Sequence, residues 1–91
     1  MVVSMTVDPA RADEVDRHLR EDVRPWAERQ EGFVSGQWLR LDDGEQALGI
    51  VTFDTVEHAR AAARGPGSQR AVPGRAWNTD SVQVFGLVAN A

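Results

Sequence analysis

Two strand-like segments, residues 33 to 41 and 45 to 53, carry apolar side chains on both faces and are joined by Asp42-Asp43-Gly44, with a helix pattern on either side. An antiparallel hairpin with one polar face can leave that face in water, and this one cannot. The chain's own helices can cover one side of the sheet, but 91 residues leave nothing for the other. The expected cover is a second copy of the chain, giving a homodimer through the sheet faces. Length points the same way: one domain over residues 1–91 lies near the size at which a single core is only marginally sufficient.

Composition narrows the chemistry. There is no cysteine, which removes disulfides, thiolate catalysis and Cys-ligated metal sites together. No H-x-x-H, H-x-x-x-H or carboxylate cluster supports a metal, and no cofactor is expected. A net charge of -4 and a pI near 5.0, with the ten basic residues all arginine and scattered, argue against nucleic acid, whose binding depends on clustered cations. Residues 1 to 7 lack a basic region followed by a long apolar run, and no stretch approaches the roughly 20 apolar residues of a membrane span. A soluble, cytoplasmic protein with no membrane partner is expected.

Along the chain, Val3, Met5 and Val7 alternate with Ser4 and Thr6, the period of a strand with one buried face. Asp8-Pro9 ends it and caps a helix, with Asp13 and Glu14 near the helix's positive end. Ala12, Val15, Leu19, Val23 and Trp26 form one apolar stripe facing the sheet. Pro25 should kink the last turn, and Gly32 should end the helix.

Asp43-Gly44 is a two-residue turn signal. It sets the pairs Leu41 with Gln46, Leu39 with Leu48, Trp38 with Gly49, Gly36 with Val51 and Val34 with Phe53. Val34, Gly36, Trp38, Ala47, Gly49, Val51 and Phe53 then share one face, expected toward the helices, where the small residues leave room for a ligand beside the Trp38 ring. Ser35, Gln37, Leu39, Leu41, Leu48, Ile50 and Thr52 share the other, expected against the partner.

Asp54-Thr55-Val56-Glu57 reads as a capping-box start of a second helix, with Val56, Ala59 and Ala63 buried and Gly65 as its end. Residues 66 to 78 read as a loop, longer than the common 4–6 residues or so. Val82, Val84, Phe85, Leu87 and Val88 read as the final strand. The order strand, helix, strand, strand, helix, strand predicts an α+β fold, a ferredoxin-like βαββαβ sandwich with an antiparallel sheet.

At the Glu31-Gly32-Phe33-Val34-Ser35-Gly36 junction, the Val51-Thr52-Phe53-Asp54 entry to the second helix and the C-terminal run ending in Val88-Ala89, the chain resembles the antibiotic biosynthesis monooxygenase-like superfamily. The resemblance covers nearly the whole chain and is one of pattern. It implies a dimeric α+β barrel with a pocket between sheet and helices in each protomer. It also implies activities such as cofactor-independent oxygenation of quinol or polyketide-like substrates, haem degradation or isomerase-like chemistry. Haem-degrading members use an Asn on strand one, a Trp on helix two and a His near that helix's end. The matching places here hold Val3, an alanine-rich stretch and the His-free segment from Arg64 to Val72, so that activity does not carry over.

The implied function is a cofactor-free monooxygenase or related enzyme acting on a small apolar aromatic or polyketide-like compound. The alternative is a non-catalytic small-molecule-binding or dimerisation module. Pocket candidates are Trp38, Gly49, Phe53, Trp77, Asn78 and Arg75. Cofactor-free oxygen chemistry needs a group to take a proton and donors to hold the resulting anion; Asn78, Arg75, Arg70 and Gln37 could serve in part. Trp26 reads as core, Trp38 as core or interface, and Trp77 as a pocket lid or loop anchor. His18 and His58 read as solvated surface residues, since each falls off its helix's apolar stripe.

Overall fold

A computed structural model describes residues 1–42, 44–67 and 72–91. Four strands, β1 (Val2–Val7), β2 (Phe33–Arg40), β3 (Gln46–Phe53) and β4 (Trp77–Gln83), form one antiparallel sheet in the order β2-β3-β1-β4. The helices are α1 (Ala12–His18), α2 (Arg24–Glu28) and α3 (Val56–Gly67). This is the ferredoxin-like arrangement that the order of elements predicts. The core lies between the sheet and the helices, where Val3, Met5, Val7, Ala47 and Val51 meet Val15, Leu19, Ala27 and Ala62.

Asp8 does cap the first helical arm: its Oδ1 accepts from Ala10 N at 3.0 Å, ahead of a 3-10 turn over Pro9–Arg11. The stripe departs from regular winding at Leu19–Val23, a π turn in which Arg24 N donates to Leu19 O, five residues back. Pro25 supplies no N–H to the carbonyl four residues before it, so a wide turn ahead of it accommodates the missing bond more gently than a kink. The arm ends at Glu28 rather than at Gly32. Gly32, with φ 81°, makes the turn into β2 instead.

The hairpin register is as expected over most of its length, pairing Leu39 with Leu48, Trp38 with Gly49 and Gly36 with Val51. Leu41 N donates to Gln46 O at 2.7 Å. Asp43 of the expected turn lies outside the described residues; Gly44 has φ 86°, as a left-handed turn position requires. At the other end a bulge between Phe33 and Ser35 sets Phe33, not Val34, opposite Phe53. The extra residue pushes Val34 off the ladder, so it is 58% exposed while Phe33 packs on the core.

Thr55 Oγ1 accepts from His58 N at 3.1 Å and starts α3. The buried residues of α3 are Ala59 and Ala62, with Val56 exposed, and the helix continues through Pro66 to Gly67. Gly65 therefore does not end it. A Cβ there would come within 2.8 Å of Trp26 Cζ2, so the glycine makes room for the indole.

The last strand is placed earlier than its apolar content suggested. Trp77 and Asn78, expected in a loop, open β4 opposite Val7 and Thr6, and residues 84 to 91 form no strand. Pairing with β1 fixes β4, and the apolar tail has no ladder partner among the described residues; Phe85, Leu87 and Val88 are 59%, 72% and 98% exposed. Residues 68 to 71 of the expected loop, Arg70 among them, lie outside the described residues.

Candidate functional site

A cavity of about 420 Å3 opens between the inner face of the sheet and the helical arm, within the range of roughly 300–1,000 Å3 usual for ligand pockets. Its sheet wall is built from Val3 and Met5 on β1, Trp38 on β2, Gly49 and Val51 on β3, and Trp77 and Thr79 on β4. Its helix wall is built from His18, Asp22, Val23, Trp26 and Ala27, with Gly65 and Pro66 at the end of α3. All three tryptophans of the chain line this space.

Local packing explains the room. The Trp38 ring lies across two glycines: a Cβ on Gly36 would stand 2.6 Å from Trp38 Cη2, and one on Gly49 would stand 3.1 Å from Trp38 Cδ1 and Nε1. Only residues without a side chain let an indole lie flat on the sheet and leave free volume above it. Trp77 is fixed from its own segment. Arg75 Nε donates to Trp77 O at 2.8 Å, and the guanidinium carbon lies over the Trp77 ring, 5.1 Å from its centre.

One polar pair interrupts these apolar walls. His18 Nδ1 is 3.0 Å from Asp22 Oδ2, and the imidazole stacks on Trp77 with ring centres 4.0 Å apart and planes 20° apart. An ionised carboxylate only accepts, so the shared proton sits on Nδ1, and a neutral His18 keeps its lone pair on Nε2. The expectation of a solvated surface His18 is corrected: its side chain is 24% exposed and forms part of the cavity wall.

The wide turn is the reason. In a regular helix His18, Asp22 and Trp26 would drift about 40° per step. The π turn rotates less per residue, so the three stay in one row facing the sheet.

Of the residues singled out from the sequence, the fold brings Trp38, Gly49 and Trp77 to the cavity. Phe53 pairs with Phe33 and is not in the cavity wall, and Arg75 lies over the Trp77 ring without lining the cavity itself. Asn78 pairs with Thr6 on the opposite face of the sheet, and its buried Oδ1 has no hydrogen-bond partner among the described residues. Gln37 pairs with Ile50 on that same outer face. Trp26 packs on the core and faces the sheet as its place in the stripe implies, and it lines the cavity from there. His18 and Asp22 are cavity residues that sequence reasoning left among the solvated charges, although their i, i+4 spacing was visible.

A second hollow, of about 470 Å3, lies at the hairpin end of the outer face among Ser4, Leu39, Leu41 and Leu48. It is continuous with the uncovered side of the sheet and carries neither an aromatic ring nor a proton-transfer pair. Among the described residues there is no cluster of His, Cys, Asp and Glu that could hold a metal ion. No helix there is long and apolar enough to cross a membrane.

His58, read from the sequence as a solvated surface residue, lies at the surface and there bridges Asp54, at 2.5 Å from Nδ1 to Oδ1, and Glu31, at 3.4 Å from Nε2 to Oε1. The hydrogen bond to Asp54, followed by the charges of Asp54 and Glu31, raises its pKa above the ordinary value. The folded state therefore favours the charged imidazole. That stabilisation is complete below about pH 6.5, the ordinary histidine value, and is lost as pH rises through the raised folded value. Thermal denaturation across this interval should show Tm falling with pH, and His58→Gln should flatten the profile.

The comparisons with known proteins agree with this architecture. A monooxygenase from the gene ActVA-Orf6 of Streptomyces coelicolor, crystallised in complex with the ligand Nanaomycin D, superposes with a TM-score of 0.55. The match spans 94% of this chain and 89% of that one at 17% identity, so the likeness is one of fold. Among curated protein sequences nothing matches significantly. The family described as antibiotic biosynthesis monooxygenase matches residues 1–74. With four-fifths of its length matched and the fold in agreement, the chain belongs to the antibiotic biosynthesis monooxygenase family.

Proposed function

We propose that the cavity takes a small, flat, apolar aromatic or polyketide-like compound and that the protein is a cofactor-independent monooxygenase or related enzyme of that class. The observation that carries this reading is the wall of three indoles around about 420 Å3 of space. Flat rings bury large areas, and indoles present both π-faces and N–H groups that orient them. Membership of the family supports oxygen chemistry, and the similar monooxygenase is one whose structure holds a ligand.

The proposal includes a homodimer formed through the outer sheet faces. On that face Leu39, Leu41, Leu48 and Ile50 are 46%, 48%, 37% and 37% exposed, a contiguous apolar surface of the kind that marks an interaction site.

A hydroxyanthrone tests the enzymatic reading. Its ring methylene loses a proton, and the carbanion then supplies electrons to dioxygen; one oxygen atom enters as the new carbonyl and the other leaves as water. Under oxygen-18 gas the protein should accelerate anthraquinone formation over the protein-free rate, with one labelled atom incorporated. Binding of the anthrone with no acceleration would replace the enzyme by a small-molecule-binding module.

A further inference from the structure

We infer that His18 Nε2 is the proton acceptor of the cavity and that it selects ligands bearing an acidic hydroxyl on a flat ring, with Asp22 as its positioning residue. The inference rests on the reading of the cavity as a ligand site. Four features of the structure converge on it. The imidazole is part of the cavity wall. Its Nδ1 is engaged by Asp22 at 3.0 Å, which leaves Nε2 for an external donor. Stacking on Trp77 at 4.0 Å fixes the ring plane. The remaining walls are mainly apolar, so an ion pair formed inside is weakly screened.

The step is a proton transfer alone. The ligand O–H bond breaks, an N–H bond forms on Nε2 and the electron pair stays on oxygen, giving a phenolate beside an imidazolium whose charge Asp22 balances. No electron changes hands. Asp22 must be ionised for this, and its own bond to Nδ1 keeps the imidazole from turning its lone pair away from the ligand.

Among the described residues the charged groups around the site are few. Asp22 lies on the same arm, the Arg75 guanidinium lies over the Trp77 ring at 5.1 Å, and the Met1 amino group is held by the Val51 carbonyl at 2.9 Å. Arg75 also favours an anion near Trp77. The other groups weighed from the sequence, Asn78, Arg75 and Gln37, lie outside the cavity walls and cannot take the proton directly.

The test uses the intact protein with 7-hydroxy-4-methylcoumarin, whose neutral and ionised forms absorb at different wavelengths, and with its methyl ether, which has no proton to give. One pH unit below the free dye's ionisation midpoint, the wild-type protein should bind the hydroxycoumarin with the spectrum of its anion. His18→Gln should abolish the anion spectrum and weaken hydroxycoumarin binding by roughly 10–100-fold, as expected for a hydrogen bond to a charged group. Binding of the methyl ether should stay within about twofold, a change of well under 1 kcal/mol. His18→Phe keeps the stack on Trp77 and should behave the same way, which separates proton transfer from packing. Asp22→Asn should move the bound dye's midpoint back toward its value in solution, a shift that a merely structural role would not produce.

Retention of the anion spectrum in both His18 variants would overturn the inference while leaving the cavity as a binding site. Failure of the wild-type protein to bind either coumarin would overturn the reading of the cavity itself, and the inference with it.

Discussion

Gly32→Ala should lower Tm by roughly 5–20 °C, the largest effect expected of any single methyl group in this chain. Two costs coincide there. Gly32 has φ 81°, a left-handed conformation that costs a residue with a Cβ about 1–3 kcal/mol. In a small domain each kcal/mol moves Tm by about 4–8 °C. The added methyl would also collide with Asp54 Oδ1 and His58 Nδ1. It would disturb the Asp54–His58 pair at the start of α3, which is tied to the turn before β2 by His58 Nε2 to Glu31 Oε1 at 3.4 Å and by Asp54 N donating to Gly32 O at 2.8 Å.

Gly74 is the internal control. It has the same φ of 81°, but nothing stands within 4 Å of a Cβ placed there, so Gly74→Ala should show the backbone cost alone. Differential scanning calorimetry of both variants separates strain from collision. Equal losses would mean that the crowding around Gly32 contributes nothing.

The second large effect concerns the outer face of the sheet. Replacing Leu48 and Ile50 together by aspartate should weaken self-association by at least about 100-fold, or nearly 3 kcal/mol. The two residues lie on adjacent turns of the β3 pleat, Leu48 opposite Leu39 and Ser4, and Ile50 opposite Gln37 and Val2. A twofold interface uses the same patch on both subunits, so two substitutions in the sequence place four carboxylates at the junction. Burying them without partners costs several kcal/mol each, while leaving them solvated forbids closure. Analytical ultracentrifugation at micromolar concentration should show wild-type dimers and monomers of the variant. The fold of the monomer should persist, because neither side chain belongs to the inner core.

How much of this molecule the sequence made legible depends on which interactions are local. Turn chemistry and alternation determine the pairing of Trp38 with Gly49 and Leu39 with Leu48, and those pairs follow from counting outward from Gly44. The cap at Asp8 and the buried face of Val15 and Leu19 likewise depend on neighbours within one turn. The misplacements share a different cause. Phe33 and Val34 exchange roles through a bulge, and His18 with Asp22 joins Trp26 at the cavity through a wide turn. A bulge and a wide turn each shift register by about one residue while leaving the apolar pattern intact, so periodicity alone does not reveal them.

The last strand fails for another reason. Phe85, Leu87 and Val88 are the more hydrophobic run, but Trp77 and Thr79 alternate inward against Val7 and Met5. Hydrogen-bond partners on β1 therefore decide which segment joins the sheet. Candidate site residues follow the same rule. Trp38 and Gly49 were legible because they sit on a well-determined hairpin, and His18 was not, because its direction depends on how the helix is wound several residues later.

The most direct measurement of the cavity reading is a two-dimensional proton–nitrogen NMR titration of the indole N–H groups with 7-methoxy-4-methylcoumarin, a flat apolar probe that needs no proton transfer. The chain has three tryptophans, and Trp26, Trp38 and Trp77 line one space. All three indole signals should shift together along one saturable binding curve. Three indole signals unmoved at saturating probe, with every perturbation confined to residues of the outer sheet face, would contradict the account.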